Sequence, residues 1–292
     1  DIGKANREEM RYLDPDGSFP NHIPNPENET AMQSILDAVQ ESKADLGIIF
    51  DTDVDRAGAV LSDGTELNRN RIIAMMAAIL LREHPGTTIV TDSITSTGLA
   101  AFIRKHGGVH HRFKRGYRNV INESMRLNRE GHDSQLAMET SGHGALKENY
   151  FLDDGAYLVT RLLIELARAK KEGYTLESLI ADLAEPAESK EFRMNILVPD
   201  FKAYGQKIID ELNVYAASQP GWSVAPDNFE GVRVNLDKAH GDGWFLLRLS
   251  LHDPLIPLNI ESDSVGGVRQ IASELAPFLR PFDQLDTSAL LA

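Results

Sequence analysis

The chain has 292 residues, of which 42% are hydrophobic, carries a formal net charge of −14 at pH 7 and contains no cysteine. This composition excludes a disulfide framework and thiolate chemistry, and the acidic balance argues against a nucleic-acid-binding surface, which is normally basic. The longest apolar run, residues 72–81, is too short to span a bilayer, and no signal peptide opens the chain, so we expect a cytoplasmic protein without a membrane segment.

Helices and short apolar strands alternate through the first part of the chain. The spacing of apolar residues predicts helices at 30–40, 68–82, 97–106, 117–128 and 153–171, and strands at 46–50, 88–91, 109–113 and 135–138. Asp154 is placed to cap the last of these helices, and Gly173 follows its end. This alternation is typical of right-handed βαβ units and predicts a largely parallel sheet.

The pattern changes at residues 184–192, a charged stretch with a proline that we interpret as a linker. Beyond it the sequence predicts a strand at 193–198, a helix at 201–216, three closely spaced strands around Val232, Phe245 and Ile260, and a helix at 268–279. Strands that run together and are flanked by helices are typical of α+β domains. We therefore expect α/β units followed by a separate α+β domain.

The most informative segment is GIIFDTDVDR at residues 47–56, where an apolar strand ends in Asp51, Asp53 and Asp55, followed by Arg56. On a tight loop these carboxylates converge, and like charges repel unless a positive charge lies among them. A hard divalent cation with oxygen ligands is the simplest solution, and Mg²⁺ suits a site with few protein ligands and a phosphate nearby. A solvated acidic turn is the alternative interpretation.

Two other acidic loops do not fit this segment. An EF-hand loop that started at Asp51 would need glycine where the chain has Arg56, and glutamate where it has Ser62. A haloacid-dehalogenase-type phosphatase would use Asp51 as a covalent nucleophile, but we find no convincing set of the lysine and acidic residues that it needs downstream.

The segment METSGHGALKENYFLDDG at residues 138–155 follows a predicted strand. Glu139 and Ser141 suit paired sugar hydroxyls, and glycines beside them let a ligand approach the backbone closely. His143 is suited to proton transfer near neutral pH. A polar junction between strand and loop is the alternative.

Two further segments carry cations suited to phosphate. FKRGYRNV at residues 113–120 concentrates positive charge, Arg118 included, around a glycine. In LLRLSLHDP, Arg248 and Ser250 end a predicted strand, and His252 lies in the turn that follows. An arginine fork with a hydroxyl and turn N–H groups can hold a phosphate. Each signal is weak by itself, because solvated basic turns are common.

Taken in order, these four segments resemble the α-D-phosphohexomutase superfamily, which includes phosphoglucomutase and phosphomannomutase, from residue 15 to residue 262. The resemblance implies a partial second α/β domain at 1–63, a full third α/β domain for the sugar at 64–184, and an α+β fourth domain for phosphate at 185–292. It implies Mg²⁺ as the cofactor, because DTDVDR looks like the family's metal loop, with Asp51, Asp53 and Asp55 as ligands.

The resemblance also implies roles for the remaining polar residues. It places Arg56, His143 and Arg118 at the reacting centre, Glu139 and Ser141 on sugar hydroxyls, and Arg248, Ser250 and His252 on the non-reacting phosphate. Arg118 stands where the family usually has lysine, so we expect it to act electrostatically rather than as a proton donor. Thr52 and Val54 replace glycines, so a positive φ at either would be strained.

The implied activity is the interconversion of hexose 1-phosphate and hexose 6-phosphate through a bisphosphorylated intermediate. The family carries the reactive phosphate on a serine in a TASHNP-like segment, and the 292 residues contain none. We therefore expect a chain that lacks the N-terminal phosphoserine domain, needs that domain as a partner and is inactive alone. A Mg²⁺-dependent sugar phosphatase and a non-catalytic sugar-phosphate-binding module are the alternatives. We also expect an exposed sheet edge near residues 46–50.

Overall fold

The contacts within the chain divide it into two units, residues 1–184 and residues 185–292. The computed structural model describes residues 9–250 and 253–291, the side chain of residue 291 excepted. Among the helices so described, none combines the length and the apolar character that a membrane crossing needs.

The first unit begins with a helix on a small antiparallel sheet. Helix α1 (Glu29–Ser42) is followed by strands β1 (Leu46–Phe50), β2 (Ala57–Leu61) and β3 (Glu66–Leu67), which pair in the order β1-β2-β3. Antiparallel pairing between β1 and β2 brings Phe50 opposite Ala57, so the residues between them form a tight loop at the sheet's end.

The prediction of parallel pairing was wrong for this sheet, and strands β2 and β3 were missed. The run AGAVL of β2 is buried at every position, so it shows no alternation of apolar and polar residues. Strand β1 lies at an edge of this sheet, as expected for residues 46–50, and Gly47 is the one residue of the strand that is buried. Gly47 is required there, because a Cβ would lie 2.4 Å from the Val39 side chain of α1.

A second sheet follows, and here the predicted alternation is confirmed. Its elements are α2 (Arg69–Glu83), β4 (Thr88–Thr91), α3 (Thr97–Lys105), β5 (Val109–Arg112), α4 (Tyr117–Arg129), β6 (Ser134–Met138), β7 (Gly144–Leu146) and α5 (Gly155–Glu172). The strand order is β5-β4-β6-β7, with β4 parallel to β5 and β6 and with β7 antiparallel. Residues 72–81 of α2 are all buried, as expected for a helix that is apolar on every side.

This topology places loops together at one end of the second sheet. Strands β5 and β6 lie on opposite sides of β4, so the chain order reverses at β4. In open α/β sheets ligands bind outside the carboxyl ends of the strands at such a reversal. The loops that follow β4, β5 and β6 begin at Asp92, Phe113 and Glu139.

The second unit is an antiparallel sheet with two long helices in its core. Its elements are β8 (Glu188–Asn195), α6 (Phe201–Ala217), β9 (Trp222–Val224), β10 (Val232–Leu236), β11 (Gly243–Leu247), β12 (Leu255–Ser262), α7 (Gly267–Leu279) and α8 (Ser288–Leu291). The strand order is β8-β12-β11-β10-β9. Apolar residues of α6 and α7 share one core with alternate residues of the strands.

The charged stretch predicted as a linker is partly a strand. Strand β8 begins at Glu188 and, among the described strands, pairs with β12 alone. Its charged residues face outward, while Phe192 and Met194 reach the core. An edge strand tolerates charged residues, and here they obscured the alternation of apolar and polar residues that indicates a strand. The short elements β9 and α8 were not predicted.

The cap of α5 supplies a first test. The Asp154 carboxylate accepts a hydrogen bond from the Tyr157 N–H at 2.9 Å, and Gly173 ends the helix in the left-handed conformation. We expect Asp154→Ala to lower the free energy of unfolding by about 1 kcal/mol, because a helix N–H loses its partner. Urea denaturation measures this. Asp154→Asn keeps an accepting oxygen and should lose much less; equal losses would show that the cap is not the cause.

Candidate functional site

The three carboxylates of the loop between β1 and β2 converge. One carboxylate oxygen from each of Asp51, Asp53 and Asp55 lies within 4.8 Å of the others. Arg56 holds the first of them: its backbone N–H donates to Asp51 Oδ1 at 3.2 Å, and its Nε–H donates to Asp51 Oδ2 at 2.6 Å. Both oxygens of this buried side chain are therefore engaged, while Asp53 is exposed.

The environment of the loop shifts the pKa values of Asp51 and Asp55 in opposite directions. Burial opposes ionisation of Asp51, but the hydrogen bonds from Arg56 outweigh it and hold the pKa of Asp51 below its ordinary value. Burial raises the pKa of Asp55 to about 6, against the attraction of His143 and with the added repulsion of Asp51 and Asp153. Within the described part of the chain, the buried oxygen Asp55 Oδ1 has no hydrogen bond. Converging carboxylates with an unsatisfied buried oxygen are the donor set that fits a hard divalent cation.

Val54 carries backbone strain in this loop. Its φ of 65° lies in the left-handed region, which a β-branched side chain adopts at a cost, and the expected strain is confirmed at this position. Thr52 is not among the described residues with positive φ. The Gly155 N–H donates to the Val54 carbonyl at 3.0 Å, and a Cβ on Gly155 would lie 2.8 Å from that oxygen. The start of α5 thus fixes the loop's conformation.

The segment after β6 lies directly against the acidic loop. Arg56 and His143 form an isolated antiparallel bridge, and the Ala57 N–H donates to the Gly142 carbonyl at 3.5 Å. Gly142 has a φ of 100°, and a Cβ there would lie 3.0 Å from the Ala57 carbonyl oxygen. Glycine at this position therefore permits the contact that joins the two motifs.

Glu139 is a buried carboxylate at the point where the sheet order reverses. The Gly116 N–H donates to its Oε1 at 2.6 Å, and the Ser141 hydroxyl donates to its Oε2 at 3.4 Å. Thr140 donates its hydroxyl to Asp92 Oδ2 at 2.7 Å. Burial raises the pKa of Glu139 to about 7, with the negative charge of Asp92 as the next cause and the Gly116 N–H acting against it.

His143 is held between two carboxylates and an aromatic ring. Its Nδ1 lies 2.8 Å from Asp153 Oδ2 and 3.7 Å from Asp55 Oδ2. The Tyr117 ring stacks on the imidazole with ring centroids 5.0 Å apart. Burial disfavours the imidazolium, but the hydrogen bond and charge of Asp153 and the charge of Asp55 outweigh it and raise the pKa of His143.

Arg118 reaches this group through Tyr117. Its Nε–H donates to the Tyr117 hydroxyl at 3.0 Å, and its guanidinium lies over the Tyr117 ring, 5.5 Å from the centroid. The side chain thus contributes positive charge beside the stacked pair. Arginine forms this planar contact better than lysine does.

Sequence reasoning missed Asp153, Tyr117 and the Asp92–Thr140 pair. Asp153 was included in the helix, but α5 begins at Gly155, and Asp153 instead forms an isolated bridge with Ala145 and accepts the Gly144 N–H at 3.1 Å. The pair Asp153 and Asp154 was the signal that could have indicated this. One aspartate suffices to cap the helix, so the other is available for a different contact.

The second unit holds the other predicted phosphate ligands. Arg248 is buried, and its Nη1 lies 3.7 Å from Glu230 Oε1. The Ser250 hydroxyl accepts the Asp253 N–H at 3.2 Å. His252 lies outside the described residues.

Comparisons with known proteins agree with these motifs. The family model of phosphoglucomutase/phosphomannomutase α/β/α domain II matches residues 8–64, and that of domain III matches residues 68–186. A phosphoglucomutase of Neisseria meningitidis serogroup A is 30% identical over 273 residues, which cover 93% of this chain and 55% of the relative. The chain thus spans about half the length of the curated relatives that it matches.

Solved structures show the same similarity. A phosphoglucomutase/phosphomannomutase family protein from Burkholderia thailandensis has a TM-score of 0.75 and 29% identity, over 92% of this chain and 54% of that one. An N-acetylphosphoglucosamine mutase from Aspergillus fumigatus, solved with GlcNAc-6P and magnesium, has a TM-score of 0.54 and 14% identity, over 85% of this chain and 52% of that one. The second likeness concerns the fold alone.

The strain at Val54 predicts a stabilising substitution. We expect Val54→Gly to raise the free energy of unfolding by roughly 1 kcal/mol. Glycine removes the strain of a β-branched residue at positive φ, and this gain exceeds the cost of the greater conformational entropy of the unfolded chain. Thermal and urea denaturation measure this. Thr52→Gly is the matched control and should destabilise by about 0.5–1 kcal/mol, since no positive φ is relieved there. A loss of stability in Val54→Gly would contradict the account.

The raised pKa of Glu139 predicts a pH-dependent stability. The folded chain holds this proton up to about 7, whereas the ordinary pKa is 4.5, so the residue destabilises the fold progressively as pH rises between those values. We expect Glu139→Gln to match the wild type near pH 4 and to exceed its stability at pH 8 by up to about 3 kcal/mol. Urea denaturation across this range measures the difference. Glu172→Gln, at an exposed position, should show no such trend.

Proposed function

Since the chain belongs to the phosphoglucomutase/phosphomannomutase superfamily, we propose that it forms the metal-, sugar- and phosphate-binding parts of a phosphohexomutase. Such an enzyme interconverts hexose 1-phosphate and hexose 6-phosphate through a bisphosphorylated sugar. We assign residues 1–63 to the part with the metal loop, 64–184 to the sugar domain and 185–292 to the phosphate domain. The observation that carries the proposal is the direct junction of the acidic loop with the Glu139–His143 segment.

Asp51, Asp53 and Asp55 are the residues that would hold Mg²⁺. When bound, the ion would offset negative charge on a phosphoryl group in transfer. The unsatisfied Asp55 Oδ1 supports this assignment. Arg56 keeps Asp51 ionised and oriented through two hydrogen bonds, and its cationic side chain adds positive charge at the reacting end.

The sugar would be bound by the segment after β6. Glu139 and Ser141 present a carboxyl group and a hydroxyl separated by one residue, which can bind neighbouring ring hydroxyls. The hydrogen bond between Asp153 and Nδ1 orients His143 and leaves Nε2 to exchange a proton with a substrate hydroxyl. Arg118, fixed on Tyr117, would stabilise developing negative charge without losing its own proton.

In the second unit, Arg248 and Ser250 would hold the phosphate that does not react, and we keep His252 in this set. Arg248 provides the planar fork that suits phosphate. The Glu230 carboxylate, 3.7 Å away, keeps this buried cation partly compensated, and a phosphate would take over that role on binding.

A phosphatase that uses Asp51 as a nucleophile is not favoured. Both carboxylate oxygens of this residue accept hydrogen bonds from Arg56, and the side chain is buried. The second candidate is a sugar-phosphate-binding module without turnover, for which the sugar and phosphate ligands assigned above would suffice.

We expect the 292-residue chain to bind Mn²⁺, a probe for the magnesium site, and glucose 1-phosphate, but to form no glucose 6-phosphate by itself. Asp53→Asn should weaken Mn²⁺ binding at least about tenfold, because an exposed ligand is lost while the fold keeps its hydrogen bonds. Calorimetry measures both ligands, and a coupled dehydrogenase assay measures turnover.

The isosteric control is Asp63→Asn in the exposed turn after β2, which should leave both affinities unchanged. Binding without turnover that becomes turnover when a serine-bearing domain of a relative is added supports the mutase. Binding that gains no turnover supports the binding module. If glucose 1-phosphate produces no heat, with or without metal, both the mutase and the binding module are contradicted. Robust turnover by the chain alone would show that no partner domain is needed.

A further inference from the structure

A second set of metal-ligating side chains lies beside the three loop carboxylates. One ligand atom from each of Asp55, His143 and Asp153 lies within 4.8 Å of the others. His143 Nδ1 is 2.8 Å from Asp153 and 3.7 Å from Asp55, so it points between two carboxylates. This set shares Asp55 with the loop and otherwise uses different residues.

The chemistry of the two sets differs. Asp51, Asp53 and Asp55 offer oxygen alone, the donor that suits Mg²⁺. The second set adds an imidazole nitrogen to two carboxylates, a mixture that suits Zn²⁺, for which three protein ligands and an open position are common. The imidazole nitrogen of His143 is therefore what distinguishes the second set from the first.

The second set is also held in place before any ion arrives. Asp153 is fixed by the Gly144 N–H at 3.1 Å and by its bridge to Ala145. The imidazole of His143 is stacked on Tyr117. Side chains that are already oriented lose little freedom on binding, and outer contacts of this kind strengthen metal sites.

We propose that Asp55, His143 and Asp153 form a zinc site distinct from the magnesium site of the acidic loop. Zn²⁺ bound there would displace the proton that Nδ1 shares with Asp153, and this proton would be released to solvent. The ion then blocks the proton exchange assigned to His143, a consequence that rests on the proposed function, whereas the binding itself rests on the geometry alone. Zinc is therefore an inhibitory ligand of this site.

The test is a comparison of Zn²⁺ and Mn²⁺ binding across single variants of the full chain. Zn²⁺ is titrated in excess Mg²⁺ against a fluorescent chelator, and Mn²⁺ is followed by electron paramagnetic resonance. We expect Asp153→Asn and His143→Gln each to weaken zinc binding at least about tenfold and to change Mn²⁺ binding far less, through charge alone, since neither residue belongs to the acidic loop. Asp53→Asn should do the reverse, and Asp55→Asn should weaken both.

His132→Gln removes an exposed histidine elsewhere and should change neither affinity. Unfolding temperatures identify any variant that does not fold, and His143→Gln decides the matter if Asp153→Asn is such a case. Zinc binding that survives His143→Gln, or that is lost in Asp53→Asn, overturns the proposal. Mn²⁺ binding is measured separately from zinc binding. Failure of the zinc site would therefore leave the proposed function standing. A wild-type chain that binds no Mn²⁺ would count against the proposed function and not against the zinc site.

Discussion

Holding like charges close together is the constraint on which the first unit depends. Two carboxylates about 4 Å apart repel by roughly 4 kcal/mol at the effective dielectric constant of a protein surface. The loop after β1 brings three to within 4.8 Å of one another, and Arg56 offsets part of the repulsion by binding both oxygens of Asp51. Burial, with the repulsion of Asp51 and Asp153 added to it, raises the pKa of Asp55 to about 6, and among the described residues its buried Oδ1 has no hydrogen bond.

The loop carries backbone strain as well as charge repulsion, and both arise from its tight reversal between β1 and β2. Antiparallel pairing of β1 with β2 forces the loop to reverse within six residues, from Asp51 to Arg56. Val54 meets that requirement in a left-handed conformation, held by the N–H of Gly155. Charge repulsion and a disfavoured φ persist together only where the surrounding structure over-determines them, which is characteristic of binding sites.

How far the sequence predicts this molecule depends on whether a signal is local. Helix α5 was predicted because its apolar spacing, the Asp154 cap and Gly173 are all local. Strand β2 was missed because a uniformly buried run shows no period, and β8 was misjudged because an edge strand tolerates charge.

The site follows the same rule. The spacing of Asp51, Asp53 and Asp55 predicted their convergence, since it depends on one loop. The partnership of His143 with Asp153 was not predictable, because it needs the bridge between Ala145 and Asp153 that only the folded sheet makes.

Asp55 joins the acidic loop to the residue that we assign to proton transfer. Its carboxylate lies 3.8 Å from Arg56 Nε on one side and 3.7 Å from His143 Nδ1 on the other. The charge of Asp55 is one of the causes that raise the pKa of His143. Whatever neutralises that carboxylate, a proton or a cation, therefore favours the neutral imidazole that accepts a proton. The two motifs are thus coupled by electrostatics as well as by the bridge between Arg56 and His143, and neither can be described chemically without the other.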